Sequence, residues 1–359
     1  MFRGYPGGAI HTGAFMRMAI RVLALTAIGA AAFVPAAHAQ DMTTATFNGT
    51  TIWVGGGVQF LSLPDIKFTQ ANGRRQTNSE SDWLDFGGAA GGGVETAVGF
   101  WGSSRVTAGV KGFWSNVETD DRKGCSGTCV VTDPTGGSSI TSGSLNTKTD
   151  READYWGAQA ELKFGRAEPV EVKPTFYRND YFIIGADVRG IDQDNKLHSS
   201  TGTNFTYKET LDTTYVGGYV GLGGEYSFGF IPGVKNVGGF YDRLGLRTFV
   251  SARAGLYNAD TDYNGRFNSG SIATRLSQSN DELAFIGTVS LETRKQMGMR
   301  TSLSLWTDYE YISSVPKLQY ADGSGTPTRI DDEGVFASRT MLRLNIGLGS
   351  SQLYSAPLK

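Results

Sequence analysis

The chain has 359 residues with 33 basic and 35 acidic side chains, for a formal net charge of -2. That balance, with no Lys/Arg cluster suited to tracking phosphates, argues against nucleic acid as a partner. Glycine supplies 49 residues against 10 prolines, alongside 20 Phe, 15 Tyr and 6 Trp, a mixture that disfavours helices and suits a sheet rich in turns.

Arg17 and Arg21 precede a small apolar run from Val22 to Val34, which leads into Pro35 and Ala37-His38-Ala39. A basic start, an apolar middle and a small-x-small end are the order of a secretory signal peptide. Cleavage after Ala39 is expected, with an upstream extension before Met16 or Met18. The run is shorter than the roughly 20 residues a spanning helix needs, and no later stretch approaches that length. Residues 1–39 are therefore expected to be extension plus signal, and residues 40–359 a single exported domain.

From there the chain alternates with a period of two, which places successive side chains on opposite faces of a strand. The first segment aligns Ile52, Val54, Gly56, Val58 and Phe60; the second aligns Val94, Thr96, Val98 and Phe100 against Glu95. The third sets Val106, Ala108, Val110 and Trp114 against Arg105 and Lys111, and the fourth sets Trp156, Ala158, Ala160, Leu162 and Phe164 against Glu161 and Lys163. In the fifth, Phe182, Ile184, Ala186 and Val188 oppose Asp187 and Arg189. In the sixth, Val216, Gly218, Val220 and Leu222 oppose Tyr215, Tyr219 and Glu225.

The seventh alternates Leu246, Thr248, Val250, Ala252, Ala254 and Leu256 with Arg247 and Arg253 among others. The eighth places Leu283, Phe285, Val289 and Leu291 against Glu292 and Arg294. The ninth places Leu303, Leu305, Tyr309 and Tyr311 against Trp306, Asp308 and Glu310. The tenth runs Phe336, Ser338, Thr340, Leu342, Leu344, Ile346 and Leu348 against Arg339 and Arg343. Between these segments, long polar stretches such as Asn116 to Ala153, Ile191 to Leu211 and Ser313 to Glu333 read as loops, in alternation with shorter turns.

Ten segments of about ten residues match what a tilted strand needs to cross a bilayer. The alternation of long loops with short turns matches a transmembrane barrel. One face of every segment lacks Asp, Glu, Lys and Arg, although these make up 19% of the chain. A basic residue facing lipid at mid-bilayer costs roughly 2–4 kcal/mol, which gives a physical reason for the gap. A soluble sandwich also alternates, but it needs a second sheet over its apolar face. The expected fold is thus all-β: a transmembrane antiparallel up-and-down β-barrel of about ten strands, with tyrosines and tryptophans girdling the strand ends.

Signal peptide, alternating strands and a closing segment Leu342-Arg343-Leu344-Asn345-Ile346-Gly347-Leu348 resemble a Gram-negative outer-membrane β-barrel protein of the porin-like class. The resemblance is one of architecture and covers nearly all of the exported chain. It departs at the end, where such barrels commonly finish on an aromatic residue and this chain continues to Lys359. It implies an outer-membrane location, contact with outer-membrane lipid and lipopolysaccharide, use of the barrel-insertion machinery, and passage of small ions or binding of extracellular ligands.

The charged faces supply the candidate lumen: Glu95, Arg105, Lys111, Glu161, Lys163, Asp187, Arg189, Glu225, Arg247, Arg253, Glu292, Arg294, Asp308, Glu310, Arg339 and Arg343. Seven acids and nine bases suit a narrow aqueous pore, or a plug in which they pair, since buried charges must be compensated. Arg247, Arg253, Arg339 and Arg343 would favour small anions if water passes. Cys125 and Cys129 are the only cysteines, and export favours a disulfide between them that pins a loop tip.

Asp260, Asp262, Asn264 and Gly265 repeat the opening of a calcium loop, but its twelfth position is Ser271 where a Glu is expected. A solvated surface loop is the better reading, and neither a metal nor a cofactor is expected. Omptin proteases are similar in barrel size and carry an Asp-x-His; here His198 is the only histidine after residue 39 and lies in Asn195-Lys196-Leu197-His198, so no enzyme activity is expected. The function expected is a narrow pore or structural envelope protein, with surface binding or adhesion through the long outer loops as the alternative.

Overall fold

The computed structural model describes residues 49–80, 86–166, 170–173, 176–201, 203–227, 246–298 and 300–348. The signal peptide, the Pro232-Gly233 turn and the chain from Gly349 onward lie outside the described residues. Among the described residues thirteen strands occur in the order β1 (Thr50–Leu61), β2 (Thr69–Ala71), β3 (Arg74–Gln76), β4 (Phe86–Trp101), β5 (Ser104–Thr132), β6 (Ser139–Arg166), β7 (Val170–Lys173), β8 (Phe176–Thr201), β9 (Thr206–Ser227), β10 (Leu246–Ser269), β11 (Ile272–Gln296), β12 (Thr301–Gln319) and β13 (Arg329–Leu348).

Ten of these close a ring. Pairing runs β1–β4–β5–β6–β8–β9–β10–β11–β12–β13 and returns to β1, antiparallel at every step. The strand that ends the ring pairs with the one that starts it, Thr50 opposite Leu348 and Leu61 opposite Ala337. The three remaining strands are short: β2 and β3 form a hairpin on the far end of β5, and β7 pairs with β8. Closure leaves no free edge at the level of the ring, which is what allows a sheet to cross a membrane.

The faces free of charge point outward. Val54, Val110, Leu162, Ile184, Val220, Leu256, Leu305 and Leu342 are all exposed, whereas the charged residues of the same strands point in. On β10 the outward apolar set runs from Leu246 to Leu256. Ten steps of about 3.3 Å, tilted by about 40°, give a band about 25 Å tall, the height of the lipid-facing belt of an outer-membrane barrel. Both chain ends of the ring and the tight Gly102-Ser103 turn lie at one end, the periplasmic end by the rule that short turns face the periplasm.

The strands do not stop at the belt, and here the structure corrects the sequence reading. β5, β6, β8, β10 and β11 are 24 to 29 residues long, because most of the stretches read as long outer loops are strand. Asn116 to Thr132 belongs to β5 and Ser139 to Ala153 to β6; Ile191 to Thr201 continues β8, and Asn258 to Ser269 continues β10. The outer connections shrink accordingly, to Gly270-Ser271 between β10 and β11, where Gly270 takes the φ of +56° that favours glycine. From Leu256 to Asn268 the sheet gains twelve steps, or about 30 Å above the belt.

The physical reason is an inversion of polarity at constant register. Inside the belt β10 is apolar outward and charged inward. Above it, Asp260, Asp262, Asn264 and Arg266 point out, while Ala259, Thr261, Tyr263 and Phe267 are buried. The extension therefore obeys the rule of a soluble sheet, apolar in and polar out.

Two apolar layers fill the interior. One joins Leu61, Val117, Ala153, Tyr155, Ile191, Tyr215, Tyr257, Ile286, Ile312 and Val335 across the ring at the top of the belt. The other, higher, joins Ile66, Phe68, Leu145, Leu197, Tyr207, Phe267 and Tyr320. The segment from Leu63 to Asn78 folds inward to supply part of both. The tip of the β5–β6 hairpin reaches across the mouth, where Thr328 N donates to Pro134 O at 2.8 Å.

The tyrosines also move from their expected place. Tyr155, Tyr207, Tyr215, Tyr257 and Tyr263 are at most 2% exposed and point inward. The outer girdles are made instead by Trp101, Phe100 and Phe182 near the periplasmic end and by Trp114, Tyr309, Tyr311 and Phe336 near the outer end.

Candidate functional site

At the level of the belt the interior is a continuous network of opposite charges. Lys111 Nζ lies 3.3 Å from Glu161 Oε2, Lys163 reaches both Glu161 and Glu95, and Arg253 stands 3.6 Å from Glu161 and 3.9 Å from Asp308. Arg189 bridges Asp187 at 2.8 Å and Glu310 at 3.0 Å, and Arg339 bridges Asp308 at 3.1 Å and Glu310 at 3.8 Å. Arg294 holds Glu292 at 2.9 Å. Arg105, Glu225 and Arg247 also make interactions. Period-two strands bring these groups together from β4, β5, β6, β8, β9, β10, β11, β12 and β13.

Neutral groups complete the network; the alternation puts them on the inward faces, but without a charge they were not among the expected lumen residues. Gln159 joins Asp187 and Arg253 at 2.9 and 3.1 Å; Tyr155 donates to Glu310 at 2.6 Å; Tyr219 donates to Glu161 at 3.0 Å; and Ser290 links Arg253 to Asp308. The Arg343 guanidinium sits between Trp306 and Trp53, 3.4 and 4.0 Å from the ring centroids, and Arg339 lies 3.4 Å from the centroid of Phe113. Such stacking offsets part of the cost of burying these cations, while Arg343 Nε and Nη2 and Arg339 Nε and Nη1 find no hydrogen-bond acceptor among the described residues. Gly157 is what makes room for Phe113, whose ring would meet a Cβ there at 2.6 Å. Of the four arginines expected to attract small anions, three are thus engaged: Arg253 and Arg339 by carboxylates, Arg343 by indole rings.

Directly above, the first apolar layer receives side chains from nine of the ten ring strands. Higher still, Glu209 is buried between β8, β9 and the β12–β13 connection. Its Oε1 accepts from Tyr320 at 2.7 Å and from Asn195 at 3.0 Å. Burial pushes its carboxyl up to about 7, with the hydrogen bonds from Tyr320 and Asn195 opposing the shift.

Cys125 and Cys129 are bonded to each other. They sit not at a loop tip but at a bulge in β5 between Ser126 and Cys129, under β2, and Cys129 is 1% exposed. Asp260, Asp262 and Asn264 lie on the outer face of β10, where a straight strand does not wrap an ion; among the described residues no group of His, Cys, Asp and Glu could hold a metal. His198 Nδ1 is 3.9 Å from Asp150 Oδ2, and Lys148 already engages that carboxylate.

A closed ring of antiparallel strands, an uncharged outer belt of bilayer height and charges turned inward define an outer-membrane β-barrel protein of the Gram-negative type. No family model matches the chain, and no curated protein matches it in sequence. Among solved structures it is similar to the outer-membrane protease OmpT of Escherichia coli, at 7% identity over 86% of this chain and 99% of that one, with a TM-score of 0.37. It is also similar to an outer-membrane channel of Pseudomonas putida F1 (10% identity, 86% and 100% coverage, TM-score 0.22) and to the toluene transporter TbuX of Ralstonia pickettii (8%, 84% and 90%, 0.23).

Proposed function

We propose that this protein is a closed outer-membrane barrel that serves as a mount for a tall extracellular sheet, and that it acts as a surface-binding envelope protein and not as a diffusion pore. The observation that carries the reading is the apolar layer from Leu61 to Val335, which spans the interior immediately above the charge network. Ions would have to cross packed Tyr, Ile, Leu and Val side chains, and below them Arg189, Arg253 and Arg339 are already paired with carboxylates. A barrel whose interior is filled by side chains is a core and not a channel.

The extension supplies the surface such a mount would present. It stands about 30 Å above the belt and is polar on its outer face, with Asp194, Lys196, Lys208, Asp212 and Asp262 all exposed. Purified protein in a planar bilayer is expected to give no conductance above lipid background. Stable single-channel steps in salt solution would overturn the closed-barrel reading.

A further inference from the structure

Above the membrane the ring opens. β12 accompanies β11 only as far as the pair Ile286 and Ile312, next to which Phe285 N donates to Ser313 Oγ at 2.8 Å. Beyond it, β11 pairs with β10 all the way to Ser269 opposite Ile272. On its other side, among the described residues, no backbone hydrogen bond reaches Ala273 to Asp281.

The opposite flank of the same open sheet is treated differently. β4 leaves β5 after Gly87 opposite Val117, but β2 then pairs with Cys129 to Val131, and Asn72 bonds Thr128 through both its N and its Oδ1. The β5 edge is thus capped at its outer end, with Glu118 to Lys123 left between β4 and the cap, whereas, among the described residues, the β11 edge carries no cap along Ala273 to Asp281. Because Phe285 turns its N–H toward β12 and orientation alternates along a strand, Ala273, Arg275, Ser277, Ser279 and Asp281 turn theirs toward the bare side. All five side chains are exposed.

Charge marks the two ends of this edge. On the outer face Arg275 lies directly opposite Arg266, and Asp281 directly opposite Asp260, with Asp262 beside it. Like charges directly opposed across strands are destabilising. The Asp260 carboxyl is raised by desolvation and by the nearby Asp281 and Asp262. The fold thus leaves a basic pair at one end and an acidic pair at the other, with unpaired backbone groups between them.

We propose that the edge Ala273 to Asp281 of β11 is a docking site for an extended segment of a partner polypeptide, which adds antiparallel to the sheet with a basic residue beside Asp281 and, six residues later, an acidic residue beside Arg275. Backbone hydrogen bonds supply the affinity of such strand addition, and alternate side chains supply its selectivity. The incoming charges neutralise both like-charged pairs. This rests on the surface-binding reading and names its site and partner class.

The probe is a fluorescent peptide, Thr-Lys-Thr-Val-Thr-Val-Thr-Glu-Thr, titrated by anisotropy against the full-length protein in detergent micelles. Its counterpart with Lys and Glu exchanged serves as the comparison. The first is expected to bind about tenfold more tightly, since two cross-strand charge pairs change sign. Ser279→Pro removes one edge-facing donor, a substitution edge strands tolerate, and should abolish binding while the heat-dependent gel mobility of the folded barrel is unchanged. Arg275→Glu should erase the preference between the two peptides.

Binding of neither peptide, equal binding of both, or binding that survives Ser279→Pro overturns the edge proposal. These outcomes are separate from the conductance result. A non-conducting barrel that ignores both peptides loses the edge site alone, and a conducting barrel that binds the matched peptide loses the closed-barrel reading alone.

Discussion

The lower and upper halves of the barrel use the same strands in the same register and reverse the chemistry of both faces. On β6, Ala160 and Leu162 face out while Glu161 and Lys163 face in; a few residues away Glu152 and Asp154 face out while Ala153 and Leu145 face in. The solvent outside decides each half. Where lipid surrounds the wall, charge survives only inside and must be paired there. Where water surrounds it, the apolar side chains turn inward and drive closure of the mouth. The lower half is held by ion pairs and backbone closure, the upper half by an apolar core.

The largest expected effect breaks the lower half from within. Arg189→Leu leaves Asp187 and Glu310 buried without their shared cation, a loss of about 3–5 kcal/mol. Urea titration of the folded protein in detergent, followed by the gel shift between folded and unfolded forms, should show a markedly earlier midpoint.

A matched pair of substitutions on one face of β10 sharpens the contrast between the halves. Ala252→Arg places a cation in the lipid belt and should destabilise by roughly 2–4 kcal/mol. Asn264→Arg, twelve residues further along the same outward row, should change stability by less than about 0.5 kcal/mol. Equal effects in a lipid-vesicle folding titration would mean that the membrane does not end near Leu256.

The upper half should respond to pH through Glu209. Its folded pKa, about 7, lies above the ordinary value of 4.5, so between these values the folded state holds the proton that the unfolded state has lost. Stability of the extension is then greatest below about pH 4.5, falls as pH rises toward 7, and levels off above it, by up to about 3 kcal/mol. Glu209→Gln should reduce the amplitude of this profile, leaving the part that Asp212 and Glu282, raised to about 6 and about 7, supply in the same direction; proteolysis of the extension at a series of pH values would measure it. The lower half should show no matching trend.

Much of the barrel was legible in the sequence. The ten ring strands, their inward and outward faces, and the pairing of the last strand with the first all follow from the period-two pattern. Strand length was not legible, because Ser, Thr, Asp and Gly fill both true loops and the water-facing side of a strand. The inward partners Tyr207, Leu211, Tyr263 and Phe267 carried the continuing period, but at spacings diluted by polar neighbours. Of the charge network, the sequence supplied its members and not its pairing: Glu161 on β6 meets Arg253 on β10, and Arg189 on β8 meets Glu310 on β12. Trp53 joined the site unannounced, since no charge marked its inward position.

By itself, then, the sequence determined that these strands form a closed wall with a lipid-compatible exterior, because a charge in the bilayer is costly enough to leave a gap in the pattern. Only the tertiary structure decided whether the interior is open or filled, how far the wall rises above the membrane, and where its edges are capped. Those depend on distances between strands remote in the chain, and alternation along one strand carries no information about the strand it will face.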